Sequence, residues 1–167
     1  SPMTPKEYSL AYEDFMKNDD VMYVSEHRGS YPNKDELKDY LEDDLDLVLF
    51  PISITRFEAL KAKQELEKEG YKIGIANILW IKPFTIKKEW EIAVKNSKCG
   101  GIVLDDDYTQ GVASNLAYEL MKKTEKKFEV MGLKDKSAGF STSTDNLPPS
   151  CKEIVIKAKE IINKKRK

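Results

Sequence analysis

Residues 45–70 read LDLVLFPISITRFEALKAKQELEKEG. Leu47-Val48-Leu49-Phe50 is apolar without alternation, the pattern of a strand buried on both faces. Thr55 followed by Glu58 forms a capping box, which predicts a helix from Arg56 to Glu69. Phe57, Leu60 and Leu66, with Ala59 and Ala62, form its expected core face, and Gly70 stops it. A doubly buried strand leading straight into an amphipathic helix is half of a parallel crossover unit.

Downstream the same unit repeats. Ile73, Ile75 and Ile78 mark a second strand, and Lys82-Pro83-Phe84 is a break. Ile86 to Asn96 reads as a helix carrying Trp90, Ala93 and Val94. Gly101 to Leu104 is a third strand. Gly111 to Lys122 is a helix with Val112, Leu116 and Leu120 facing in. Phe128 and Val130 mark a fourth strand, followed by a loop from Lys134 to Pro149. Ser150 and Glu153 cap a last helix that buries Ile154, Val155, Ala158, Ile161 and Ile162. Trp80 and Trp90 are both expected in the core. Right-handed crossovers then give a mostly parallel sheet between two helical layers, an α/β/α sandwich over residues 45–167.

Upstream the pattern is less regular. Thr4, Pro5 and Glu7 start a helix that runs to Met16, with Tyr8, Ala11, Tyr12 and Phe15 on one face. Val21 to Val24 reads as a short strand ending at Glu26-His27-Arg28-Gly29. One helix and one strand cannot bury a core, so residues 1–28 are expected to belong to a neighbouring domain or to rest on a partner. Residues 29–44 read as an acidic, exposed connector, with a helical turn or two around Leu37, Tyr40 and Leu41.

Composition sets limits. The 167 residues carry 34% charged side chains yet a net charge of −1, which argues against a general nucleic-acid binder. No apolar run reaches the roughly 18 residues that span a bilayer. Cys99 and Cys151 are far apart, and His27 is the single histidine. A disulfide scaffold, a zinc site and a multi-histidine metal cluster are therefore not expected, and a reducing, cytoplasmic setting is.

Two groups of residues could carry chemistry. Asp105-Asp106-Asp107 follows the third strand, and ligands of open α/β sheets bind beyond the carboxyl ends of strands. The run would suit magnesium or a hydroxyl-rich ligand, or serve only loop hydrogen bonds and helix capping. Glu26-His27-Arg28 places an acid, an imidazole and a guanidinium together. It would suit acid–base work or the holding of a phosphate or carboxylate, or it is structural. Gln110-Gly111 at a helix start lacks the spacing of a nucleotide loop. Cys99 reads as a small buried hydrophobe rather than a nucleophile.

The order of motifs resembles the thiamine-diphosphate enzymes related to transketolase, with the beta subunit of 2-oxo-acid dehydrogenase decarboxylating components as the nearest branch. VMYVSEH at 21–27 resembles the last strand of that family's pyrimidine-binding domain. DLVLFPISITRFEAL at 46–60 resembles the opening of its C-terminal domain, with Ser53 where a glycine is usual. The segment ending Lys82-Pro83-Phe84, GIVLDDDYTQGVASNLA at 101–117 and LPPSCKEIV at 147–155 resemble three later motifs. The resemblance implies the end of a pyrimidine-binding domain at 1–28, an acidic linker at 29–44 and a transketolase C-terminal domain at 45–167.

It further implies thiamine diphosphate and magnesium for a full assembly, with no cofactor site within this chain. A role follows in subunit assembly and in shaping the approach to the active site, in a homo- or hetero-oligomer with cofactor-binding domains or subunits. In related deoxyxylulose-phosphate synthases an Arg-Gly pair contacts substrate phosphate, which Arg28-Gly29 resembles, whereas Leu79 stands where a second arginine is expected. The other reading is a stand-alone α/β module for interaction or small-ligand binding, without catalysis. Neither reading involves nucleic acid or a membrane.

Overall fold

The structure is a computed structural model and describes residues 1–137, 141 and 145–166. Strands β1 (Leu47–Pro51), β2 (Ile73–Ile75), β3 (Gly101–Tyr108) and β4 (Phe128–Leu133) form one sheet of order β2-β1-β3-β4. All three pairings are parallel, with Leu47 against Ile73, Val48 against Gly101 and Gly101 against Phe128. Helices α1 (Pro5–Phe15), α2 (Thr55–Lys68), α3 (Lys88–Asn96), α4 (Val112–Thr124) and α5 (Cys151–Arg166) complete the fold.

The unbroken apolar run of β1 has a direct structural cause. Leu47 and Leu49 point into a core built with α2 and α5, including Ala59, Ala62, Leu66, Ile154 and Ala158. Val48 and Phe50 point the other way, into a core built with α3 and α4, including Trp90, Val94, Leu116 and Leu120. Phe50 meets Trp90 edge-on at 5.7 Å between ring centres and Phe128 at 5.6 Å. Such pairs add about 1 kcal/mol beyond their buried area. The sheet is thus the middle of an α/β/α sandwich, as expected.

Several local expectations are corrected. Val21–Val24 forms no strand: no neighbouring strand supplies ladder partners, and Val21 and Tyr23 are almost fully exposed. The helical turns expected around Leu37–Leu41 do not form either. Tyr40 exchanges two backbone hydrogen bonds of 2.8 Å with Ile75, closing the free edge of β2. The adjacent Asp39 accepts from the Asn77 N–H and the Trp90 indole N–H, both at 2.7 Å. This half of the acidic run is packed, not solvated.

Strand β3 continues through Asp105–Tyr108, past the end of the apolar run, because Tyr108 still pairs with Leu133. Trp80 and Val112 are exposed rather than in the core, Phe57 is half-buried, and Leu60, Val155 and Ile161 are half-buried at the core's margin. Thr55 is the first residue of α2 rather than its cap, and its hydroxyl bonds the Ile52 carbonyl at 2.6 Å. Glu58 turns away to accept the Cys151 N–H at 2.9 Å, tying α2 to the start of α5. The Ser150–Glu153 cap forms as expected.

Helix α1 does not stand apart. Thr4 caps it by accepting the Glu7 N–H at 3.3 Å. Met3 and Thr4 are buried, Ala11 is 5% exposed, and the Ser1 nitrogen donates to the Leu79 carbonyl at 2.8 Å. Much of the rest is bare: Leu10, Tyr12, Phe15 and the adjoining Met16 are all exposed.

Candidate functional site

In the order β2-β1-β3-β4 the chain runs from β1 to one side and then crosses to the other. The carboxyl ends of β1 and β3 are therefore the topological switch point, where open α/β sheets form their crevice. Ser53 lies at this point with φ of 52°, the left-handed region that favours glycine. Its hydroxyl donates to the Asp106 carboxylate at 2.7 Å across the two strand ends. That bond supports the strained backbone where the related motif has glycine.

The three aspartates have separate surroundings. Asp105 is 4% exposed, and burial pushes its carboxyl up from the usual range to about 6. Asp106 is half-buried and held by Ser53, while Asp107 is exposed and accepts the Tyr108 N–H at 2.7 Å. Among the described residues no three Asp, Glu, His or Cys side chains are grouped to hold a metal ion. The run supplies one buried carboxyl that gains or loses a proton near pH 6 and one carboxylate aimed across the crevice.

Glu26, His27 and Arg28 lead into a single 3₁₀ turn, Arg28–Ser30. The His27 Nδ1 accepts the Gly29 N–H at 3.0 Å, which leaves the proton of the neutral ring on Nε2. Glu26 accepts from the Tyr31 hydroxyl at 3.2 Å, and Arg28 is exposed. Gly29 lies against the Ile54 side chain, where a Cβ would come within 2.8 Å. The turn thus rests beside Ser53–Ile54 at the same end of the sheet as Asp106. Among the described residues no hydrogen bond or ion pair joins Glu26–Arg28 to Asp105–Asp107, and the two groups are neighbours on one edge.

Arg56 is the residue sequence reasoning missed. It is 1% exposed, pairs with both Glu7 oxygens at 2.6 and 2.7 Å and donates to the Ile78 carbonyl. Burial lowers its affinity for the proton and the Glu7 carboxylate raises it. Arg56 and Lys63 fall in phase with Ala59 and Leu66 on the buried face of α2. A cation in register with an apolar stripe was the available signal.

A parallel sandwich with its crevice at the β1/β3 switch point defines an open α/β domain. The family is specific. The sequence pattern of the transketolase C-terminal domain matches residues 39–154, so the chain belongs to that family. Two solved structures share the fold. One is a split-gene transketolase described as an inactive beta4 tetramer, with a TM-score of 0.62 and 17% identity, covering 76% of this chain and 41% of that one. The other is the 2-oxoglutarate:ferredoxin oxidoreductase of Magnetococcus marinus, with a TM-score of 0.54 and 20% identity, covering 72% and 18%. The chain thus spans less than half of either neighbour. No protein of curated function matches it. Among the described residues no helix is long and apolar enough to cross a membrane.

Proposed function

We propose that these residues act as the C-terminal portion of a thiamine-diphosphate-dependent enzyme of the transketolase or 2-oxo-acid dehydrogenase type. In this reading residues 29–44 link the sheet domain to a remnant of the pyrimidine-binding domain at 1–28. The domain holds subunits together and shapes the approach to an active site, and Glu26, His27 and Arg28 face that approach from the edge of the sheet. Cofactor-binding domains or subunits supply the chemistry, and the chain alone does not turn over substrate.

The observation that carries this reading is the run of exposed apolar side chains in the first stretch, beside a well-formed sheet domain. Leu10, Tyr12, Phe15, Met16, Val21 and Tyr23 are all exposed within fourteen residues of one another. Isolated apolar side chains at a surface are ordinary, but six exposed within one short segment point to an interface. The split transketolase, whose chain of related fold is described as inactive in its tetramer, supports the same view.

Calorimetric titration of thiamine diphosphate with magnesium into the chain tests it. The expected result is no magnesium-dependent binding. Tight magnesium-dependent binding, in the micromolar range or below, would overturn the proposal that the cofactor site lies elsewhere.

A further inference from the structure

Two hollows lie at the amino edge of the sheet, the opposite end from Ser53 and Asp106. One, of about 350 Å³, is walled by Cys99, Gly101, Ile161 and charged side chains of β4 and α5. The other, of about 320 Å³, shares Cys99 and Lys165 with it and extends to Asp46 and Ile162. Six lysines line the pair: Lys98, Lys126, Lys127, Lys157, Lys164 and Lys165. The carboxylates there are Asp46, Glu129 and Glu160, so three positive charges are in excess in a chain whose net charge is −1.

The pairing pattern shows where that excess sits. Lys98 is neutralised by Asp46 at 2.9 Å, and Lys127 and Lys157 share Glu129 at 3.3 and 3.5 Å. Lys126 and Lys165 are held by main-chain carbonyls instead, of Ser97 and Lys98 respectively. A carbonyl fixes an ammonium in place without cancelling its charge. Parallel topology also brings the C-terminal ends of α2, α3, α4 and α5 to this edge, each worth roughly half a negative charge. Those partial charges offset about two thirds of the excess, so the hollow remains positive.

From this geometry we infer that the paired hollow is a binding site for a small polyphosphate, a compact anion with more than one phosphoryl group. Lysine ammoniums donate to phosphate oxygens as point charges, and two joined hollows suit adjacent phosphates. Ile161 and Ile162 supply the apolar part of the lining.

The probe is inorganic tripolyphosphate, titrated into the 167-residue chain at constant ionic strength, with calorimetry and thermal unfolding as readouts. Saturable one-to-one binding and a raised melting temperature are expected. The variant K126Q/K164Q/K165Q should bind roughly tenfold more weakly or worse, a change of about 1.4 kcal/mol. Lys164→Gln alone, at an exposed position, guards against misfolding of the triple variant and should give a smaller loss. The pair K61Q/K152Q, on lysines outside the hollow, should bind as the unaltered chain does. Thiamine diphosphate bound here would be released by the triple substitution and would not need magnesium, which separates it from a cofactor site. Equal affinity in the triple variant, equal loss in the control pair, or no effect beyond that of sodium chloride would each overturn the inference.

Discussion

Residues 39–166 and residues 1–31 are held together by different physics. In the sheet domain each strand is covered on both faces, and the strand and helix cores share β1 as a common wall. In the first stretch little is apolar and buried beyond Met3 and Ala11. Its anchor is a buried ion pair, Glu7–Arg56, aided by hydrogen bonds to Leu79 and from Asn33. A sheet domain of this kind loses stability gradually as packing is trimmed. An ion-pair anchor is lost at once when one partner goes, because the other is left buried and unpaired.

Substitutions probe that difference. Phe50→Ala should cost the most, about 3–5 kcal/mol in urea unfolding, since Phe50 is fully buried between Trp90 and Phe128. Glu7→Gln should cost about 3 kcal/mol, because Arg56 cannot reach water without the first stretch lifting away. A cost well under 1 kcal/mol would show that residues 1–15 undock freely, and the distinction between the two regions would then be one between folded and tethered.

Asp105→Asn should act in the opposite direction, and only at higher pH. Its folded pKa of about 6 lies above the ordinary carboxyl value, so the folded state binds the proton more tightly than the unfolded one. The wild-type contribution is complete below about pH 4 and is lost as pH rises through 6. The asparagine variant should therefore be more stable than wild type by about 2 kcal/mol at pH 8, with the advantage fading towards pH 4. Chemical unfolding at several pH values reads this directly. The smallest effect belongs to Tyr12→Ser with Phe15→Ser: about 0.5 kcal/mol or less in monomer stability, because both rings are already in water.

The sequence was most legible where burial was two-sided. The apolar run Leu47–Phe50 and the small residues Ala59 and Ala62 identified β1, α2 and the layered fold without reference to contacts. Local patterning failed where an element's state depends on a distant partner. Val21–Val24 has strand-forming residues but no strand to pair with, whereas Asp105–Asp107 lacks them and is kept in β3 by the pairing of β3 with β4 on either side. Asp39 is one acid among many in its run, and nothing nearby marks it as the acceptor for Trp90.

The candidate site was legible in part. Asp105–Asp107 was expected after the third strand, whereas pairing to β4 carries β3 through all three, and the divergence of their carboxylates depends on the Ser53 hydroxyl and on burial. The proximity of Gly29 to Ile54, which brings Glu26–Arg28 to the same edge, is a tertiary fact no spacing contains.

The central claim is that the first stretch is an interface while the sheet domain is self-sufficient. Light scattering over a range of protein concentrations tests it most directly, with the chain compared against the Tyr12→Ser/Phe15→Ser variant. The account predicts a concentration-dependent mass above the 19.2 kDa of one chain, falling to one chain in the variant. One-chain mass at every concentration in both proteins would contradict it.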